Sequence, residues 1–319
     1  MSPQTSAMRE TMIGQADRLS GLLADDTPVE QLADRLRGRR VMVIGTGTSW
    51  HAAAQGAYFL RAAGLDAVAV ESAEAAVDRP LPGPGEVMVA LTHTGRKRFT
   101  AEAADKASRG GADVIQISGT AVGEADLRTV ERERSSAFTV SHLAALLRIA
   151  QLARTLGAEL GDLDAIPEAV ENAFSEQWDE VPVPERLIEF IGGGINQWTA
   201  AEGALKIREA AYVASEGLSA EQFLHGPQVA LRSHDRLVCL DGGGPVWPER
   251  IASIADAAES SGVPVSRIEH RELGELLSIF PLTVAVQRIA LESAEALGTN
   301  PDSFGRDVPG REAWENVRL

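Results

Sequence analysis

The side chains best placed to do chemistry lie in Glu202-Gly203-Ala204-Leu205-Lys206-Ile207-Arg208-Glu209, followed after a short break by His225-Gly226-Pro227. In a helix, turning about 100° per residue, Glu202, Lys206 and Glu209 share one narrow stripe while Ala and Leu fill most of the remainder. A carboxylate, an ammonium and an imidazole gathered beside a glycine-rich strand end make a site for moving protons. The same residues have plainer uses. Glu202 and Lys206, spaced i,i+4, form an ordinary helix ion pair worth a few tenths of a kcal/mol. His225 before Gly-Pro can simply hold a turn, and Glu221-Gln222-Phe223-Leu224 before it can either reach a ligand through Glu221 or anchor Phe223 in the core.

Two turns have the composition of anion sites. The apolar run Val41-Met42-Val43-Ile44 enters Gly45-Thr46-Gly47-Thr48-Ser49 and then a small-residue helix pattern from His51 to Arg61. Glycine lets the backbone approach an anion, helix N–H groups point at it, and the hydroxyls of this turn, Thr46, Thr48 and Ser49, add donors or caps. The third glycine of a dinucleotide fingerprint is missing, and no nucleotide P-loop is present. The second turn is Thr92-His93-Thr94-Gly95-Arg96-Lys97-Arg98, the densest positive cluster in the chain. Cations at a helix N-terminus oppose its dipole, which favours Lys97 and its neighbours holding an anion over merely facing water.

These residues need a scaffold, and the pattern supplies one in duplicate. Strands are expected at Val41–Ile44, Val68–Val70, Val87–Leu91 and Val114–Ile117, and helices at Thr100–Arg109 and Ala137–Leu156. After an acidic connector, a strand at Leu187–Ile191 enters Gly192-Gly193-Gly194 and a helix from Trp198 to Val213. A strand at Arg236–Leu240, a helix at Pro248–Ser260, a strand at Val263–Val265 and a helix at Leu282–Leu297 follow. Alternating strands and helices define an α/β fold with parallel sheets, and the recurrence of strand, glycine turn and helix about 150 residues apart indicates a duplicated unit. The expected division is an N-terminal helical segment at 1–28, a first domain at 29–160, a linker at 161–180, a second domain at 181–299 and a tail at 300–319.

Composition narrows the function classes. The 319 residues, 44% hydrophobic, suffice for two cores. A formal charge of −16 and the absence of a long basic run argue against nucleic acid, and no apolar stretch of about 18 residues suggests a membrane span. One cysteine, Cys239, excludes an intrachain disulfide and fits a reducing, cytoplasmic setting. The scattered histidines, among them His51, His142, His234 and His270, have no zinc-ligand spacing, so neither metal nor cofactor is expected.

Taken in order, Gly45-Thr46-Gly47-Thr48-Ser49, Glu202 to Glu209 and His225-Gly226-Pro227 resemble the double sugar-isomerase (SIS) domain family. In particular they resemble the isomerase half of glucosamine-6-phosphate synthase and its glutaminase-free relatives. The resemblance runs from about Met8 to the C-terminus and implies two tandem SIS domains, each a three-layer α/β/α unit with a parallel sheet, acting as a homodimer with shared sites. It implies that Thr48, Ser49, Thr92 and Thr94 bind a sugar phosphate, with His93 standing where the family often has Gln. It further implies that Glu209 is the base moving a proton between C1 and C2, that His225 opens the sugar ring from the partner subunit, and that Lys206 and Glu202 fill the helix's other charged positions. Gly95-Arg96-Lys97 departs from the family's Gly-Glu-Thr, Arg134-Ser135-Ser136 from its Ser-Thr-Lys, and Arg306 stands where the synthase has a catalytic lysine. The activity implied is isomerisation of a phosphorylated sugar or aminosugar through an enediol or enolamine. The alternatives are an aminosugar-phosphate deaminase or fructosamine-phosphate deglycase, and a non-catalytic phosphosugar-binding protein.

Overall fold

The computed structural model describes residues 5–25, 29–123, 125–176, 181–184, 186–311, 313–314 and 317. The expected N-terminal segment, linker and tail therefore lie partly outside the described residues. Packing divides the chain into two compact units: a first built from Asp17–Glu133 with Val140–Asp164, and a second from Ala165–Arg318 with Met1–Ala16 and Arg134–Thr139.

In chain order the elements begin with α1 (Ala7–Ile13), α2 (Gln15–Ala24) and α3 (Val29–Leu36), then β1 (Val41–Gly45), α4 (Thr48–Ala62), β2 (Ala67–Glu71) and α5 (Ser72–Val77). There follow β3 (Val87–Thr92), α6 (Arg98–Arg109), β4 (Asp113–Ser118), the short β5 (Leu127–Arg128), α7 (Val140–Thr155) and α8 (Ile166–Ser175). The remainder is β6 (Ile188–Gly192), α9 (Asn196–Ala210), β7 (Ser215–Ser219), α10 (Ala220–Phe223), β8 (Arg236–Asp241), α11 (Trp247–Ser260), β9 (Val265–Glu269), α12 (Gly274–Leu277) and α13 (Ile279–Leu297).

Each unit is built on a wholly parallel sheet. The first has strand order β2-β1-β3-β4-β5 and the second β7-β6-β8-β9, so the leading four strands of the first unit and all four of the second share one topology. Both faces of the central strands are covered: β3 is buried at every position, and so is β6, Glu189 included. In the second unit, Phe190, Val238, Leu240, Ala204, Ile207, Leu282, Val286 and Ile289 join one core with Met8 and Met12 of α1. In the first, Ile44, Val70, Met88, Ala90, Ala103 and Ala107 close one face of the sheet.

The expected strands and long helices are present, most with ends shifted by one to three residues. β7 and β5 were not expected. β7 reads Ser-Glu-Gly-Leu-Ser, with little strand propensity, and forms because the α9 backbone lies against it: a Cβ on Gly217 would fall 2.2 Å from the Ala200 carbonyl oxygen. α9 ends before the expected Val213 because Tyr212 takes a left-handed conformation, φ 62°. The acidic connector contributes α8 to the second unit.

Candidate active site

α9 carries the strongest chemical grouping. Lys206 Nζ lies 2.6 Å from Glu209 Oε2 and 3.3 Å from Glu202 Oε1. The Glu202 and Lys206 side chains are 0% and 1% exposed, and Glu209 opens to 13%. The expected i,i+4 ion pair of Glu202 and Lys206 is present, but it is buried, and desolvating such a pair costs several kcal/mol per ion. Burial disfavours the Lys206 charge, but the Coulomb pull of Glu202 and Glu209 and their hydrogen bonds outweigh it and hold the ammonium above its ordinary range. The result is a permanently charged lysine that fixes Glu209 at the more open end of the stripe.

His225 belongs to a separate cluster of the same unit. Ser219 caps α10 by accepting from Gln222 N, Phe223 is 2% exposed in a core with Ile191, Leu237 and Ile251, and His225 follows at the turn. The His225 side chain is 68% exposed, its Nε2 3.3 Å from Glu221 Oε1, while Glu221 Oε2 accepts from Arg250 at 2.7 Å. Arg250, and after it His225, hold the Glu221 carboxyl below the usual carboxylate range. Phe223 is thus the anchor, and Glu221 a tether for the imidazole.

In the first unit the two candidate anion turns sit at C-terminal ends of adjacent strands, β1 and β3, where the strand order reverses and α/β sheets bind ligands. Gly45 must be glycine, because a Cβ there would lie 2.1 Å from the Ser49 carbonyl oxygen. Gly47, at φ 57°, leads into α4, whose first residues are Thr48 and Ser49. Thr46 donates its hydroxyl to Glu71 at the end of β2, and Glu71 in turn caps α5 by accepting from Ala73 N and Glu74 N. Glu71 was not singled out in the sequence; its only signal is an acidic residue just ahead of a short helix.

The second turn is shaped by Thr92, whose buried Oγ1 accepts from Gly95 N at 3.1 Å. His93 is half-buried, and burial lowers its imidazole below the ordinary range while Glu133 opposes that shift. Thr94 is partly exposed, and Arg96 and Lys97 are exposed just ahead of α6. Arg306 stands in a tail organised around Tyr212, whose hydroxyl donates to Asn300 O at 2.7 Å and accepts from Gly305 N at 3.0 Å; Arg306 Nη1 itself donates to Ser136 Oγ at 3.3 Å. Tyr212, too, carried no sequence signal. Cys239 is a core residue of β8, its thiol pushed up to about 12 by burial. Among the described residues no three His, Cys, Asp or Glu side chains are grouped to hold a metal ion.

Two parallel-sheet α/β units in tandem, with hydroxyl-bearing turns on one and a buried charged stripe on the other, place the chain in a recognisable class. Residues 37–154 match the SIS domain. Over 304 residues it is 29% identical to the glutamine–fructose-6-phosphate aminotransferase (isomerizing) of Pyrococcus horikoshii, covering 82% of this chain and 50% of that protein. The chain thus spans about half the length of the curated relatives it matches. Among solved structures, glucosamine-6-phosphate deaminase from Thermotoga maritima superposes with a TM-score of 0.77 at 21% identity, over 93% of this chain and 97% of that one. Tagatose-6-phosphate ketose/aldose isomerase from Escherichia coli gives 0.77 at 17% identity, over 93% and 94%.

Proposed function

We propose that the chain is an enzyme that transfers a proton between C1 and C2 of a phosphorylated sugar or aminosugar, interconverting aldose and ketose. The observation that carries this reading is the buried Glu202–Lys206–Glu209 stripe. Packing alone would favour apolar side chains in its place, since apolar replacement of a buried ion pair is often neutral or stabilising. The names of the three relatives described above all refer to phosphosugar enzymes, which supports the substrate class.

In this mechanism the phosphate is held by Thr48, Ser49, Thr92, His93, Thr94 and Lys97, with Thr46 shaping the first turn through Glu71 and Arg306 contributing a cation from the tail. His225 opens the ring. Glu209 takes the C2 proton of the aldose, the electron pair moves toward the C1 carbonyl, and the Lys206 ammonium stabilises the oxyanion of the enediolate. The hydroxyl proton on O2 passes to O1, and protonated Glu209 returns its proton to C1 as the C2 carbonyl forms, leaving the ketose. Glu202 keeps Lys206 charged and aligned throughout. The exposure of His225 suits a residue that serves a partner subunit's substrate in a homodimer.

Incubation with fructose-6-phosphate or glucosamine-6-phosphate in deuterated water tests the reading. Deuterium is expected at C1 or C2 by NMR, and Glu209→Gln removes it. Ammonia release alongside exchange would mark the deaminase reading, and phosphosugar binding without any exchange would leave only a sensor.

A further inference from the structure

The duplication allows the two units to be compared residue by residue. Gly45 and Gly192 are 147 positions apart, as are Gly47 and Gly194. Both members of the first pair end a central strand against the following helix, a Cβ meeting the carbonyl oxygen four residues on at 2.1 Å for Gly45 and 2.2 Å for Gly192. Both members of the second pair turn the chain with a left-handed φ, 57° and 53°. The second unit therefore keeps the backbone of the first unit's anion turn.

Its contents differ. At Gly47 a Cβ would meet no heavy atom within 4 Å, whereas at Gly194 it would fall 2.8 Å from Glu275 Oε1 and 2.7 Å from Trp247 Nε1. The other carboxylate oxygen of Glu275 comes within 2.4 Å of a Cβ on Gly244, in the loop after β8 that corresponds to the second phosphate turn. The Trp247 indole approaches Gly194 beside this carboxylate and favours its ionised form. The hydroxyls are gone as well: Gly193, Ile195 and Asn196 stand at the positions of Thr46, Thr48 and Ser49. Asn196 spends its amide internally, donating to Ser278 Oγ at 2.9 Å and accepting from Thr199 at 3.0 Å.

We propose that Glu275 is a built-in anion: its carboxylate fills the second unit's copy of the anion turn, closes it to external phosphoryl groups, and restricts the chain to the phosphoryl site of its first unit. Burial holds the Glu275 carboxyl above the usual carboxylate range, with Trp247 opposing that shift. The amino-terminal end of the 15-residue α9 favours negative charge in the same place. The inference rests on the proposed function only in taking the first unit's turn as a phosphoryl site.

The test uses a parent carrying Thr48→Val and Ser49→Ala, so that anion effects report on the second unit alone. In that parent, Glu275→Ala is expected to melt lower and to be restored by inorganic phosphate or acetate. The restoration should exceed the parent's own response by about 3 °C at ionic strength matched with sodium chloride. Glu275→Gln, which keeps the bulk and loses the charge, is expected to melt below the parent at pH 8. A folded Glu275→Ala that responds to phosphate and acetate no more than the parent overturns the proposal. So does a Glu275→Gln protein as stable as the parent at pH 8, and that comparison remains decisive if the alanine variant does not fold. Failure of the first-site reading would show separately, as unchanged phosphate binding by Thr48→Val, Ser49→Ala with Glu275 intact.

Discussion

Lys206 Nζ sits 2.6 Å from Glu209 Oε2, one helical turn away, with the lysine wholly buried and the glutamate side chain 13% exposed. The charge on Lys206 is maintained by two carboxylates rather than one.

Glu209→Gln should therefore cost activity and little stability, because the amide keeps the size and one hydrogen-bond acceptor. Proton exchange is expected to fall by about 10²–10⁴-fold with little change in KM, measured by deuterium incorporation at C1 or C2. Lys206→Met should instead destabilise the fold by about 3–5 kcal/mol, since it strands Glu202 and Glu209 without their shared cation. Urea unfolding of the two variants separates these outcomes.

Thr48→Val and Ser49→Ala remove hydroxyl donors from the turn after β1 without altering its glycines. A hydrogen bond to a charged group contributes about 1.5–3 kcal/mol, so each variant should weaken phosphosugar binding about ten- to a hundredfold. Calorimetric titration checks this, and an unchanged dissociation constant would remove the turn from the site.

Glu189 gives the second unit a pH dependence. It lies in β6, 1% exposed, with Glu216 as its register partner on β7. Burial first, then Glu216 and Asp235, push its carboxyl up to about 7, against Arg186, which lowers it. Below pH 4.5 the group is protonated in both folded and unfolded chains and contributes nothing. Between about 4.5 and 7 the folded chain keeps a proton that the unfolded chain releases, so stability falls as pH rises, and above 7 the penalty, of about 3 kcal/mol, is complete. Glu189→Gln should flatten this decline and raise stability at pH 8, as read from denaturant melts at pH 5 and pH 8.

Cys239 should report on global unfolding. With its thiol at about 12, only about 10⁻⁴ of it is thiolate at pH 8, and the surrounding β8 core excludes reagents. Labelling by an aromatic disulfide is expected to be negligible in the native protein and to rise with denaturant in step with loss of secondary structure. Rapid labelling of the native chain would contradict this burial.

The central strands, the long helices and the duplication could be read from the chain alone, because apolar periodicity and glycine turns are local consequences of burying a two-sided sheet. The stripe of Glu202, Lys206 and Glu209 was equally legible, since helical geometry alone aligns those positions. Whether it was a surface pair or a buried triad was not: the sequence around it fits both, and only the packing of α9 against β7 and α13 decides the dielectric around Lys206. β7 forms through an approach of the α9 backbone that only Gly217 permits, a contact invisible to strand propensity. The link from Thr46 to Glu71, the tail gathered on Tyr212 and the seating of Glu275 beside Gly194 join residues 25, 88 to 93 and 81 positions apart, with no periodic signal between them. Local pattern decided which residues could act; three-dimensional packing decided which of them are charged, buried or already occupied, because desolvation and close contact depend on neighbours that the chain order does not name.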